Sequence, residues 1–174
     1  MNETTERTGM LKWLGLSALV VVLDQVTKWW VVQEFRLGER VDWLPFLSWV
    51  RWHNDGAAFS LLSGAGGRWF FVALAVAFAA FIVWELRRLP VGGRLMGWAY
   101  ALILGGALGN GADRLFSGYV VDFVLVHYGS WHFPAFNVAD SALTVGAAIW
   151  IGSILLDYLA DRRDGQDASE GPTP

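Results

Sequence analysis

Long apolar stretches separated by short polar segments dominate the sequence. A bilayer core of about 30 Å needs about 20 helical residues. Each stretch approaches or exceeds this length, and each is hydrophobic around most of its circumference, which suits lipid or a bundle interior. We therefore predict an all-α integral membrane protein with four transmembrane helices. The predicted spans cover about residues 11–32, 67–86, 94–114 and 138–156.

The segment between the first two spans has a different pattern. Residues 40–52 mix Val, Trp, Leu and Phe with single polar positions, which is typical of short strands. We predict a small extracytoplasmic layer of strands and loops here, between spans 1 and 2. The rings of Trp43, Trp49 and Trp52 should lie at headgroup level, where aromatic side chains accumulate.

Domain limits follow from where the apolar pattern ends. From residue 161 onward the chain consists largely of Asp, Gly, Ser and Pro, with too few apolar residues to fold alone. We predict a single four-span membrane domain over residues 1–160 and a polar, disordered cytoplasmic tail over 161–174.

The basic residues near the span ends predict how the chain crosses the membrane, because Lys and Arg accumulate on the cytoplasmic side. We expect both termini in the cytoplasm, and segments 33–66 and 115–136 on the outer side. Seven basic residues support this orientation: Arg7, Lys12, Arg87, Arg88, Arg94, Arg162 and Arg163.

Composition narrows the function classes. The chain is 55% hydrophobic and 17% charged, whereas soluble domains have about 25% charged residues. The absence of Cys excludes a disulfide scaffold and a cysteine nucleophile. The net charge of −3 argues against a nucleic-acid partner. We expect no metal or other cofactor, and we interpret His127 and His132 as solvent-facing polar residues of an outer loop.

Each ionisable side chain at membrane depth raises the free energy of membrane insertion by about 2.5–3.5 kcal/mol, so each is expected to have a structural or functional role. Asp24 and Lys28 are one helical turn apart and are predicted to form an ion pair, with contact to a substrate headgroup as the alternative. Asn110, Asp113 and Arg114 share one face of the third span, where we expect a buried Asp113–Arg114 pair.

Asp122 and Asp140 differ from the other acidic residues because neither has an obvious basic partner nearby in the sequence. Asp122 lies in an apolar extended stretch, and Asp140 follows Asn137, a potential helix cap that would place Asp140 in the first turn of span 4. Asp140 alone could simply be favoured by the helix dipole. Two carboxylates brought together share a proton, so that one acts as an acid while the other acts as a base. The pair predicts an aspartic peptidase.

Five ordered motifs carry a resemblance to a known family. Over residues 23–146 the chain resembles lipoprotein signal peptidases, the bacterial signal peptidase II family. The motifs are DQVTK at 24–28, NDGAAFS at 54–60, GGALGNGADR at 105–114, GYVVDF at 118–123 and FPAFNVADS at 133–141.

The resemblance implies a membrane-embedded aspartic endopeptidase of the bacterial cytoplasmic (inner) membrane, with its active site toward the outer face. Its substrate would be a diacylglyceryl-modified prolipoprotein, cut just before the lipidated cysteine. We further expect contact with membrane phospholipid and a monomeric protein. The implied catalytic pair is Asp122 and Asp140. The implied substrate-binding residues are Asn54, Gly56, Phe59, Asn110, Arg114 and Asn137. The remaining motif residues are implied to be structural or to contact the substrate: Asp24, Lys28 and Asp113.

Three further expectations remain open at this point. The 54–60 loop is small enough to close over the site, with Phe59 as its cover. A proton-coupled membrane transporter is the alternative function, since intramembrane acids also form proton relays. A serine-type protease would need a Ser–His pair, which the outer-loop positions of the histidines disfavour.

Overall fold

The computed structural model describes residues 3–56, 65–90 and 92–169. Within these ranges most of the chain is helical, and each helix contains one of the apolar stretches, so the predicted helical architecture is confirmed. The helices are α1 (Glu3–Glu34), α2 (Ala65–Arg88), α3 (Arg94–Phe116) and α4 (Val138–Ser169).

Three of the helices have the length and hydropathy to cross a membrane. The qualifying segments are Gly9–Glu34, Gly67–Arg88 and Val138–Ala160. The third predicted span, α3, is not among these candidates, so the count of four spans is not confirmed for the described residues. Its glycines, Asn110 and Asp113 lower its hydropathy, and much of its surface is buried against other helices rather than facing lipid.

Close helix packing places α3 between α1 and α4. A Cβ atom at Gly105 would lie 2.6 Å from Val20 Cβ on α1, and one at Gly106 would lie 2.4 Å from Ala139 O on α4. A real Cβ atom could not approach its neighbours this closely. The helices can therefore pack at this distance only because both residues lack a side chain. The glycines thereby bring the polar end of α3 against the start of α4.

A four-stranded antiparallel sheet covers one end of the helices. Its strands, in spatial order, are β1 (Arg40–Leu44), β2 (Leu47–Asn54), β3 (Val120–Tyr128) and β4 (Trp131–His132). The predicted strand layer after α1 is confirmed as β1 and β2, and the extended stretch around Asp122 is β3. The register, which the sequence did not predict, aligns Trp52 with Asp122 and Asn54 with Val120.

The sheet is attached to the end of α1 by aromatic packing and by one arginine. The Trp49 ring stacks on Phe123 at a centroid distance of 6.0 Å and meets Trp30 of α1 at 5.7 Å. Arg51 Nη1 donates to Val32 O at 3.0 Å and to Phe35 O at 2.8 Å, which satisfies carbonyl groups at the C-terminal end of α1.

At the other end of the chain, α4 continues to Ser169. It therefore extends into the segment from residue 161 that composition assigns to a polar tail. The domain limits of 1–160 and 161–174 remain predictions.

Candidate active site

Asn137 and Asp140 form a reciprocal cap at the start of α4. The Asp140 backbone N–H donates to Asn137 Oδ1 at 2.9 Å, and the Asn137 N–H donates to Asp140 Oδ2 at 3.2 Å. This is the capping-box arrangement, which satisfies free backbone donors at a helix start. The cap fixes the Asp140 carboxyl in the first helical turn, as the sequence predicts.

Asp122 lies on β3 with its side chain turned into the molecule, and the residue is 4% exposed. Its Oδ1 accepts a hydrogen bond from Asn137 Nδ2 at 2.8 Å, and its Oδ2 accepts one from Asn54 Nδ2 at 3.0 Å. Asn137 therefore contacts both aspartates. Burial, followed by the negative charge of Asp140, raises the pKa of Asp122 to about 6.

Asn110 joins the same cluster from α3. Its Nδ2 donates to Asp140 Oδ1 at 2.7 Å, while its Oδ1 accepts from Asn137 Nδ2 at 3.2 Å. Thus α3, α4, β2 and β3 each contribute a side chain to the aspartate cluster. The implied catalytic residues and three of the implied binding residues meet at one place.

An apolar groove of about 420 Å³ opens beside Asp140, between α2, α3 and α4. Asn110, Arg114 and Asp140 are its polar lining, and they lie at the end nearest the sheet. The rest of the wall is hydrophobic and includes Phe71, Phe78, Leu143 and Trp150. A carboxyl group at the mouth of such a groove can act on a chain whose apolar part is held below it.

Arg114 and Asp113 have partners other than each other. Arg114 Nη1 donates to Asn110 O at 3.4 Å, and the guanidinium lies over the Phe71 ring at 4.6 Å. Asp113 forms an ion pair with Lys28 at 2.8 Å. The expected Asp113–Arg114 pair is thus wrong, because Lys28 of α1 reaches Asp113 across the helix interface.

The Asp24–Lys28 ion pair is present and buried. Lys28 Nζ lies 2.7 Å from Asp24 Oδ2, with the two side chains 4% and 0% exposed. Asp24 Oδ1 also accepts from the Ala139 N–H at 2.9 Å, at the start of α4. Burial this deep favours the ion pair over the alternative, contact between Lys28 and a substrate headgroup.

The loop after β2 begins with a tight turn. The Gly56 N–H donates to Asn54 Oδ1 at 3.0 Å, and Gly56 has φ +91°. A Cβ atom there would lie 2.7 Å from Phe71 Cε2, in the groove wall. Gly56 therefore combines a positive φ with a close approach to α2. Phe59 and the proposed loop closure lie outside the described residues.

A second polar cluster lies in the sheet, and it does not have the geometry of a serine protease. Ser48 Oγ lies 2.8 Å from His127 Nε2 and 2.6 Å from Asp42 Oδ1. In a catalytic triad the carboxylate orients the histidine, whereas here it contacts the serine. His127 is 7% exposed on β3, so its interpretation as a solvent-facing loop residue is wrong.

Comparison with known proteins identifies the family. The family model described as signal peptidase (SPase) II matches residues 16–156. The chain belongs to the signal peptidase II family. A lipoprotein signal peptidase of Acinetobacter baumannii is 52% identical over 141 residues, covering 80% of each chain. One of Shewanella loihica is 45% identical over 165 residues, covering 92% of this chain and 95% of the relative.

Two solved structures are similar to the chain in both fold and sequence. One described as a bacterial membrane enzyme has a TM-score of 0.75 and 33% identity, and covers 83% of this chain and 92% of that chain. Another with the same description has a TM-score of 0.73, at 33% identity, and covers 84% and 89%. As a member of the signal peptidase II family, the chain is a membrane-embedded peptidase, which is a hydrolase.

Two contributors to this signal peptidase II site were not singled out from the sequence. Gln25 Nε2 donates to Asp113 Oδ1 at 2.8 Å, and its position between Asp24 and Lys28 in an apolar span was the available signal. Arg51 supports the sheet, but its carbonyl partners are 16 and 19 residues away in the chain. Such contacts depend on the tertiary fold, so spacing alone does not reveal them.

Proposed function

We propose that the chain is an aspartic endopeptidase that removes the signal peptide from diacylglyceryl-modified prolipoproteins, cutting just before the lipidated cysteine. The observation that carries this proposal is the pair formed by the buried Asp122 and the partly buried Asp140, which are joined through Asn137 at the mouth of an apolar groove. The substrate class is supported by the relatives, which are named lipoprotein signal peptidases.

The roles within the pair follow from the surroundings of each carboxyl. Asp140 lies at the positive end of the α4 dipole and accepts two N–H bonds, so it is the unprotonated base. Asp122, with a pKa of about 6, carries the proton. The two carboxyls share this single proton, which resides mainly on Asp122.

With these roles, hydrolysis of the peptide bond needs water as the only co-reactant. Asp140 takes a proton from water as its oxygen bonds to the scissile carbonyl carbon, and Asp122 gives its proton to the carbonyl oxygen. The tetrahedral intermediate collapses when the C–N bond breaks, the amine nitrogen takes a proton from Asp140, and a hydroxyl proton returns to Asp122. The products are the free signal peptide and a lipidated N-terminal cysteine.

The groove accounts for the substrate's apolar part. Its hydrophobic wall is suited to the signal peptide and acyl chains, while Asn110 and Arg114 at its polar end would hold main-chain carbonyl groups near Asp140. Asn54 and Gly56 would border the same site from the sheet side.

We also propose the placement in the membrane. The enzyme is a monomer of the bacterial cytoplasmic membrane, in contact with phospholipid, with both termini inside and the aspartates toward the outer face. Here α3 is a fourth span, since its 23 residues extend about 35 Å and a helix packed among others needs little apolar surface.

Conservative variants of the two aspartates test the proposal. We expect Asp122→Asn and Asp140→Asn each to abolish cleavage of purified lipidated prolipoprotein in a gel-shift assay, because an amide can neither accept nor return the proton. Asp157→Asn, at an exposed position on α4, is the matched control and should cleave normally. Unlipidated substrate should stay uncut by the unaltered protein.

Wild-type turnover by either aspartate variant, provided that it is inserted and folded, would refute the aspartic mechanism. Equal cleavage of unlipidated substrate would refute the proposed substrate class. Proton-driven flux in liposomes without any cleavage would favour a transporter instead.

A further inference from the structure

We propose that Lys28 is a positioning residue for the aspartate pair, acting through the carboxamide of Asn110 to keep Asp140 as the unprotonated partner. The inference rests on the proposed function and adds a role for a buried lysine that the hydrolysis itself does not use. It is carried by the direction of each hydrogen bond between Lys28 and Asp140.

The direction of the first bond is fixed by chemistry. A lysine ammonium group only donates, so the Asn110 atom facing Lys28 Nζ at 3.0 Å has to be the carbonyl oxygen. The same oxygen accepts from Asn137 Nδ2 at 3.2 Å. A flipped Asn110 amide would place its NH2 group against both donors, which is unfavourable in a buried site.

The second bond follows from the first. With its oxygen held by Lys28, Asn110 has to direct its NH2 group at Asp140 Oδ1, at 2.7 Å. The other carboxyl oxygen of Asp140 accepts from the Asn137 N–H. A proton placed on either oxygen would compete with an N–H donor. Asp122 also accepts two N–H bonds but is buried, whereas Asp140 is only partly buried and lies at the positive end of the α4 dipole, so these donors favour the ionised form at Asp140.

Burial separates this role from substrate contact. Lys28 is 3% exposed, and Asn110 lies between it and the groove. The charge of Lys28 is balanced by Asp24 on α1 and Asp113 on α3, at 2.7 and 2.8 Å. Lys28 therefore does not face the reacting atoms, and its effect passes through the Asn110 amide.

The charged groups around Asp140 come from several elements. Lys28 and Asp24 belong to α1, Asp113 and Arg114 to α3, and Asp122 to β3. Because Lys28 is balanced by two carboxylates, its removal alone would leave buried anions unpaired, which is strongly destabilising. A useful variant has to remove the donor without changing the net charge.

The double variant Lys28→Met/Asp113→Asn meets this requirement, since it removes one positive and one negative charge, and Asp24 keeps its hydrogen bonds from Gln25 Nε2 and the Ala139 N–H. We expect it to fold, to lose about tenfold to hundredfold in kcat with little change in KM, and to shift the acidic limb of the pH–rate profile to higher pH. Lys28→Arg retains a charged donor and should recover part of the rate. Lys12→Met, at the far end of α1, is the control and should match the unaltered protein.

A second variant leaves the ion pairs intact. Asn110→Leu removes the amide between Lys28 and Asp140, and we expect the acidic limb to shift in the same direction. An unmoved limb in Asn110→Leu would overturn the inference even if the double variant fails to fold. A purely structural ion cluster would lower the melting temperature of the variants without moving the profile of the folded fraction.

The inference is overturned if either folded variant keeps the acidic limb of the unaltered protein. That result is distinguishable from failure of the proposed function, which would show as turnover by Asp122→Asn or Asp140→Asn. Inactive aspartate variants together with an unshifted Lys28 double variant would reject only the role of Lys28.

Discussion

Three asparagines, rather than the aspartates themselves, determine the hydrogen bonding at the site. Asn54, Asn110 and Asn137 each direct an NH2 group at a carboxyl oxygen, at distances of 2.7–3.0 Å. Their side-chain oxygens are in turn occupied, so no amide is free to rotate. The two carboxyls therefore differ by their donors and by their burial.

Asn54 offers the clearest test of this tuning. Its NH2 group stabilises ionised Asp122, while its oxygen holds the Gly56 turn. Asn54→Asp keeps the oxygen but adds a negative charge, so it should raise the pKa of Asp122 above the present value of about 6.

The sign of the pH effect follows from Asp122 as the proton carrier. In the unaltered protein kcat/KM should fall as pH rises through about 6, because the proton is lost. In Asn54→Asp this basic limb should lie at higher pH, as measured with purified lipidated substrate. Tyr128→Phe, on an exposed side chain of β3, should leave it in place. If the basic limb of the pH–rate profile does not move in Asn54→Asp, Asn54 contributes to the site only by holding the Gly56 turn.

At the level of elements, the sequence predicted the helices and strands, which depend on local pattern. It did not predict strand pairing and contacts between helices, which depend on packing. Apolar length was enough to predict the helices, and the mixed pattern of residues 40–52 was enough to predict β1 and β2. The pairing of β2 with β3, which brings Asn54 to Asp122, joins residues 68 positions apart. Lys28 and Asp113 are also far apart in the sequence. Their ion pair replaces the Asp113–Arg114 pair that helical spacing predicted.

The close approach of α3 and α4 gives a prediction at this scale. In Gly106→Ala the new methyl group would meet Ala139 O and Leu143 Cγ at 2.4 and 2.7 Å. Overpacking of this kind costs about 1–3 kcal/mol. We expect a lower melting temperature in detergent, and weaker cleavage because Asp140 follows Ala139.

Gly152→Ala on α4 is the matched control, because a Cβ there meets nothing within 4 Å. It should be neutral or raise stability by about 0.5–1 kcal/mol, since alanine favours helix. Equal melting temperatures for the two variants would mean that α3 and α4 are not in close contact at Gly106.

At the scale of the whole molecule, the sheet and the aspartates lie at the same end of the helices. β3 connects the end of α3 to the segment before α4, and its Asp122 is linked to Asp140 at the start of α4 through Asn137. The basic residues Arg87, Arg88 and Arg94 lie at the opposite ends of α2 and α3. If α3 crosses the membrane, the link between α2 and α3 and the turn between β3 and β4 lie on opposite sides.

This placement can be tested directly because the chain has no Cys. Single cysteines at Ser130, in the β3–β4 turn, and at Pro90, after α2, are both at exposed positions. In intact spheroplasts a membrane-impermeant maleimide should label Ser130→Cys at once, and Pro90→Cys only after permeabilisation, because Arg and Lys retain the Pro90 side in the cytoplasm. Labelling of both from outside would show that α3 does not span the membrane. The reverse pattern would place the aspartates on the cytoplasmic face, where they could not meet a substrate cut at the outer surface.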